Sequence, residues 1–489
     1  MHRLRATATA TLLAATLTAA ARETPHPTHA CRLPGVEHEA RCGQLTRALD
    51  PSQPQGRTIS LHFAVLPALA RQPRADPVFF VAGGPGQSAI DLAGPVGRML
   101  GRLGNRRDIV LIDQRGTGRS APLKCAQLTP TTPLAQLIDP LLQARRISEC
   151  RRALMQLPHG DLRHFTTANA SADLDAVRQA LGATQINLVG VSYGTRVVLD
   201  TMRQFPRTVR RAVLDGVTPP DMLLPQAAAI DTQAAFDALL DHCAADAPCR
   251  QRYPQLRDDW RRLLDSMPRV VNLAHPLSGQ VETVELTRAM LLGMVRVPLY
   301  SPVFASALPA ALHAAARDDF TPLVGLASAL GAAKRGEVAQ GMHFSVICAE
   351  DELPAVDDPD SARGASGDFA IALSALYRQV CMDWPRAPLA NGFRQLPAAQ
   401  VPTLLLSGEL DPVTPPRHGD RVAQSLGSLA RHVVVPNAGH GLLSLACVRE
   451  QVFAFIDAPT AAEALQVPTD CARQLPRPPP FVPPGATLP

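Results

Sequence analysis

Lysine is nearly missing from this chain. Only Lys124 and Lys334 stand among its 48 basic residues, against 43 acidic ones, for a net charge of +5. Two of the arginines, Arg3 and Arg5, fall in a leader-like first segment, which leaves 46 basic against 43 acidic residues, or +3, on the rest. Such a balance supplies no basic footprint for nucleic acid. Aromatic residues make up only 4% of the chain and charged residues 19%, yet apolar residues reach 46%. That mixture excludes a disordered or collagen-like chain. After the first segment no apolar run approaches the roughly 18 residues of a membrane-spanning helix, so no stable membrane insertion is expected. Cofactor fingerprints are also missing: neither GxxxxGK[ST] nor GxGxxG occurs, so no bound cofactor is expected. What remains is a globular protein of 489 residues, room for two or three domains or one large elaborated one.

The first 21 residues, MHRLRATATATLLAATLTAAA, place two arginines before an Ala/Leu/Thr stretch ending in small residues. This is the layout of a secretory signal peptide, and it predicts an exported protein, periplasmic or secreted. Cys31 follows ThrHisAla rather than the Leu-containing signal of a lipoprotein, so no lipid anchor is expected. Ten cysteines in an exported chain read as disulfides. They fall as close couples, which favours the pairs 31–42, 125–150, 243–249, 348–381 and 447–471. A zinc site at His242, Cys243 and Cys249 lacks the partner set that tetrahedral ligation needs, and no metal is expected.

Short apolar runs that end in Gly-rich or acidic turns alternate with helical patterns, which predicts an α/β fold with a mostly parallel sheet. Strands are expected at 58–68, 77–82, 108–112, 186–190 and 209–214, and a helix from an N-cap at Ser171 to Gly182. From 221 to 398 the chain turns Ala/Leu-rich, helical in period and punctuated by Pro, the pattern of an inserted helical cap. Strand signals return at 401–406 and 431–435, followed by a helix near 445–456. The expected organisation is therefore a signal peptide over 1–21, core over 22–220, cap over 221–398, core again over 399–458, and a Pro-rich tail over 459–489.

Gly190-Val191-Ser192-Tyr193-Gly194 fits G-x-S-x-G between a buried strand and a helix, where a sharp turn lifts a serine hydroxyl above the sheet. A serine needs a histidine to take its proton, and the histidine needs a carboxylate to fix its tautomer. Of fourteen histidines, His440 lies in a Gly-flanked loop, NAGHGLL, just after the last strand. Two carboxylates stand at strand ends: Asp411 in SGELDPVTP and Asp215 in LDGV. Asp411 is preferred because its loop is stiffened by two prolines; Asp215 is assigned to capping a turn, and Glu409 is a further option. An oxyanion needs two preorganised donors. The backbone N–H groups of Tyr193 and of Gly84, in Gly83-Gly84-Pro85-Gly86, are the candidates.

Taken in order, GGPGQS, DQRGTGRS, GVSYGT, SGELDPVTP and NAGHG resemble the α/β-hydrolase family of exported tripeptidyl and prolyl aminopeptidases, over about residues 31–475. The resemblance implies an α/β-hydrolase fold with a helical cap and a serine exopeptidase acting on peptides with a free N-terminus, with Ser192, Asp411 and His440 as its triad. Prolyl iminopeptidases carry His before GGPG; this chain has Ala82, which favours the tripeptidyl branch. Related enzymes hold the substrate ammonium with cap carboxylates, which singles out the acidic stretch after Cys348: Glu350 first, Asp351 second. An esterase or lipase using the same triad is the rival reading.

Overall fold

The computed structural model describes residues 28–129, 131–332, 338–351 and 367–483. The expected signal peptide lies outside them. Nine strands form one sheet: β1 (Thr28–Cys31), β2 (Ala40–Ala48), β3 (Thr58–Leu66), β4 (Val78–Val81), β5 (Ile109–Ile112), β6 (Ile186–Val191), β7 (Val209–Asp215), β10 (Thr403–Gly408) and β11 (Ala430–Val435), in the order β1-β2-β3-β5-β4-β6-β7-β10-β11. The first three pair antiparallel along one edge, and β3 pairs antiparallel with β5. From β5 through β11 every pairing is parallel.

Strands buried on both faces need continuous apolar runs, and VFFV in β4 and IVLI in β5 are buried at every position. Neighbours along a strand point to opposite faces. Phe79 and Leu188 therefore pack into one core layer with Phe63, Phe165 and Tyr193, while Phe80 and Val189 pack into the other with Leu111, Phe453 and Phe455. Helices cover both layers. Among them are α1 (Thr167–Ala180) and α2 (Tyr193–Gln204), which follows β6 directly.

The helix α1 begins four residues before the expected cap. Thr166 caps it by accepting from the Asn169 N–H at 3.4 Å, while Ser171 is buried inside it and donates to the Val197 carbonyl at 3.3 Å. A serine followed by a helical pattern is a good cap signal only where the preceding residues leave the helix, and here Thr167–Ala170 continue it. The edge strands β1 and β2 have no strong alternating pattern of their own; pairing and the Cys31–Cys42 bridge hold them.

Between β7 and β10 the chain builds a separate apolar core around Phe236, Trp260, Leu291, Leu312 and Phe369. The helices of this inserted segment include α3 (Leu224–Ala245), α4 (Arg288–Leu299), α5 (Gln340–Glu350) and α6 (Phe369–Cys381), of which α5 packs against the sheet's own core. This segment is not helical throughout. An antiparallel hairpin, β8 (Arg269–Ala274) with β9 (Val281–Leu286), interrupts it. The signal was present: in VETVEL, Val284 and Leu286 are buried while Thr283 and Glu285 are exposed, the period of a half-buried strand. After β11, α7 (Ala446–Asp457) packs on the sheet.

The five cysteine pairs are those expected from their spacing, and no described cysteine is free. No helix among the described residues is long and apolar enough to cross a membrane. Non-reducing peptide mapping should return these five local pairs and no free thiol. Replacing Cys348 and Cys381 by Ala should cost about 2–4 kcal/mol in a urea titration; an unchanged midpoint or a different partner for either cysteine would refute this.

Candidate active site

Strand β6 runs straight into α2 through Ser192, whose backbone sits at φ 55° and ψ −127°. A non-glycine residue with positive φ is strained by about 1–3 kcal/mol, and it persists only where its surroundings over-determine it. The flanking glycines show how tight those surroundings are. A Cβ on Gly190 would lie 2.7 Å from the Gly194 carbonyl oxygen, and one on Gly194 would lie 2.3 Å from that of Val81. The turn brings helix and neighbouring strand closer than any side chain permits. The Ser192 N–H donates to the Asp215 carbonyl at 2.7 Å, which ties the turn to the end of β7.

The same β7 end anchors the histidine. Asp215 is buried, and its two carboxylate oxygens accept the N–H groups of Leu442 and Leu443, each at 2.9 Å, just past His440. Burial pushes its carboxyl up; the two N–H donors oppose that shift. Gly216 follows with φ 72°, and a Cβ there would lie 2.9 Å from Thr414 Oγ1 and 3.3 Å from His440 Cε1. The end of β7 thus holds the serine turn through the Asp215 carbonyl and leaves no room for a side chain beside the His440 ring.

His440 Nδ1 lies 2.8 Å from Asp411 Oδ2. Asp411 is 2% exposed, and its other oxygen accepts from the Val413 and Thr414 N–H groups, both at 2.9 Å. Thr414 Oγ1 donates to Oδ2 at 2.6 Å and lies 3.1 Å from His440 Nδ1. Burial opposes ionisation of Asp411, but the facing His440 and these donors outweigh it and hold the carboxyl below its usual range. With Nδ1 committed to Asp411, Nε2 is the nitrogen left for a serine proton. Of the two carboxylates weighed from sequence, Asp411 touches the imidazole, while Asp215 holds the loop that carries it. Glu409 accepts from the Asn437 N–H at 3.1 Å and does not contact His440.

The Gly83–Gly86 loop lies against the nucleophile: a Cβ on Gly83 would come 3.1 Å from Ser192 Cβ. Gly84 and Gly86 have φ of 112° and 107°, which glycine alone adopts readily. Tyr193 is the first residue of α2, and a first-turn N–H has no acceptor within its own helix. Tyr193 follows the serine directly and Gly84 follows the glycine that abuts it, so both stay the candidates for oxyanion donors. The Tyr193 ring points inward, its hydroxyl 2.7 Å from Thr167 Oγ1.

Glu350 and Asp351 are placed otherwise than the resemblance implies. They lie at the end of α5, buried, with Arg196 of α2 between them. Glu350 accepts from the Thr167 N–H at 2.6 Å and Thr167 Oγ1 at 2.8 Å, and faces Arg196 Nη1 at 3.4 Å. Asp351 accepts from Arg196 Nη1 at 3.0 Å and the Leu224 N–H at 2.9 Å. An incoming ammonium would have to displace a fully buried guanidinium and strip these donors away. The pair therefore joins the cap to the nucleophile helix, and the assignment of an ammonium clamp to these two residues is corrected accordingly. Trp384 is a core residue, donating from Nε1 to Ser345 Oγ at 3.1 Å.

Sequence reasoning missed the cap residues that reach the site. The Tyr300 ring stands edge-on to His440 at 5.6 Å, and its carbonyl accepts the His440 N–H at 3.1 Å. His343 Nδ1 lies 3.3 Å from the Pro85 carbonyl oxygen, and its Nε2 lies 3.1 Å from the Tyr377 hydroxyl. No motif marks these positions. No group of described residues has the ligand set of a metal site.

Residues 76–275 match the α/β hydrolase fold family, and residues 369–466 match the TAP-like protein family. A tripeptidyl aminopeptidase of Streptomyces lividans is 27% identical over 85% of this chain and 81% of its own length. Serine protease Hip1 of Mycobacterium bovis is 30% identical over 43% of this chain and 42% of its own. Carboxylesterase B of Mycobacterium tuberculosis is 27% identical over 80% and 78% respectively.

Two outcomes follow from the geometry. Ser192→Ala and His440→Ala should each lower kcat by about 10⁴- to 10⁶-fold. Asp411→Asn should cost more than Asp215→Asn; the reverse order in steady-state kinetics would make Asp215 the acid. Separately, burial raises the Glu350 carboxyl from 4.5 to about 7, the Arg196 charge opposing it. Between those values the folded protein keeps a proton that the unfolded chain has released, so this group's contribution to stability falls as pH rises from about 4.5 to about 7. In Glu350→Gln the melting temperature should depend less steeply on pH across that window, and an unchanged slope would contradict the raised value.

Proposed function

We propose that the chain is a serine hydrolase of the peptidase kind, in the tripeptidyl-aminopeptidase-like branch of the α/β hydrolases whose family models it matches, and that it is an exported exopeptidase acting on peptides with a free N-terminus. The observation that carries the chemistry is the common anchoring of the Ser192 turn and the His440–Asp411 pair on Asp215 and Gly216. Ser192 Oγ attacks the scissile carbonyl as His440 Nε2 takes its proton, and Asp411 holds the imidazolium that forms. The tetrahedral oxyanion is received by the N–H groups of Tyr193 and Gly84. His440 then returns the proton to the leaving amine, an acyl-enzyme remains on Ser192, and water releases it by the same route in reverse.

The polarity of cleavage is supported by the relatives named for releasing tripeptides. Export is supported by the leader-like N-terminus and by five disulfides, which persist in oxidising compartments. An inserted cap is supported by the separate apolar core that residues between Phe236 and Val324 form with Phe369, while α5 and Trp384 pack with the sheet.

A second reading, an esterase on the same triad, is favoured by the carboxylesterase relative and by the commitment of Glu350 and Asp351 to Arg196. A matched set of substrates separates the two. Acetylating the N-terminus of a good peptide should lower kcat/KM by roughly 10- to 100-fold, the worth of one charged hydrogen-bonded contact. Equal cleavage of free and acetylated peptides, with faster turnover of short-chain esters, would establish the esterase instead.

A further inference from the structure

We propose that Arg296, on the cap helix α4, is a specificity-determining residue that binds a carboxylate of the substrate, a proposal that rests on the peptide-hydrolase reading. Three observations place its guanidinium at the site. Nη2 donates to the Tyr300 hydroxyl at 3.0 Å, and the guanidinium carbon stands 5.6 Å from the centre of the Tyr300 ring. That ring in turn stands edge-on to the catalytic imidazole, 5.6 Å away. On the other side, His343 reaches the Pro85 carbonyl of the oxyanion loop. Burial holds the His343 imidazole down to about 4, and the Arg296 charge adds to the shift despite the opposing Pro85 contact. The geometry thus sets the Arg296 guanidinium one aromatic ring away from His440.

The charge inventory around the serine gives this cation its meaning. Among the described residues, the carboxylates named above have their donors already: Asp411 has His440 and Thr414, Asp215 has Leu442 and Leu443, and Glu350 and Asp351 share Arg196. Arg296 belongs to no ion pair among the described residues, and its Nε is buried without a hydrogen-bond partner. A guanidinium held by one phenol and an aromatic face has Nη donors left for a planar anion. A carboxylate fits that fork. On a peptide it comes from the C-terminus or from an Asp or Glu side chain, and both offer the same two oxygens.

The test compares substrates before it compares proteins. One pair is a short peptide with a free C-terminal carboxylate and its C-terminal amide. The other is a C-amidated peptide carrying Glu or Gln at a single position on the leaving side. Wild-type enzyme should prefer the acid by on the order of 10- to 100-fold in kcat/KM in at least one pair. The pair that shows the preference identifies the source of the carboxylate. In Arg296→Gln the acid-to-neutral ratio should collapse toward one, mainly through KM, while Arg296→Lys should keep part of it. No acid preference in either wild-type pair would overturn the proposal, whether or not the variants fold, as would a preference that survives in Arg296→Gln. Ser192→Ala, run on the same substrates, must be inactive; residual full activity there would refute the serine-hydrolase reading and not the role of Arg296.

Discussion

A left-handed backbone at Ser192 is tolerable only because nothing else can occupy its surroundings. The strand β6 enters it, α2 leaves it, and β4 passes so close that Gly194 abuts the Val81 carbonyl. Relaxing the turn would move the serine away from the sheet edge, so the strain is confined by three elements at once. The sheet order follows suit. With β4 on one side of β6 and β7 on the other, the Gly83–Gly86 loop leaves the end of one neighbour and the Asp215 turn leaves the end of the other. The serine lies between them because parallel strands finish at the same edge.

Asp215 shows how a buried carboxylate can serve chemistry without taking part in it. Its backbone carbonyl holds the Ser192 N–H, and its side chain holds the loop beyond His440. Displacing two reacting groups by about 1 Å can cost 10²-fold in rate, so one residue that bonds to both sides restricts a distance that matters. Asp411 works through the charge it keeps: donors on both oxygens favour its ionised form despite burial. The two acids differ in their partners far more than in their burial.

Arg196 makes a similar bridge between the core and the cap. Its side chain leaves the nucleophile helix, meets Glu350 and Asp351 at the end of α5, and donates to the Met222 carbonyl where the inserted segment begins. Removing one partner from such a cluster leaves a buried charge uncompensated, which is far costlier than the cluster's net contribution while it is intact. The cap is therefore linked to the very helix that begins directly after Ser192. Tyr300 and His343 extend that link to the imidazole and to the Gly83–Gly86 loop.

Much of this was legible in the chain itself. The glycines of GVSYGT, the run VFFV before GGPG and the loop around His440 signal their structures through local constraints: a turn too tight for Cβ, a strand buried on both faces, a loop at a sheet edge. Cysteine spacing gave the five pairs because each lies within a short stretch of chain. The hairpin β8–β9 was also written locally, in an alternation hidden by its Ala/Leu-rich surroundings. Other features had no local signature. Whether Asp215 or Asp411 meets the histidine depends on where two separate loops converge, and whether Glu350 is free or paired depends on Arg196, 154 residues earlier. The sequence by itself determined which residue types and turns were available for a serine hydrolase. Only the tertiary structure decided which charges met, because electrostatic partnership depends on distance in space, and the chain reports only distance along itself.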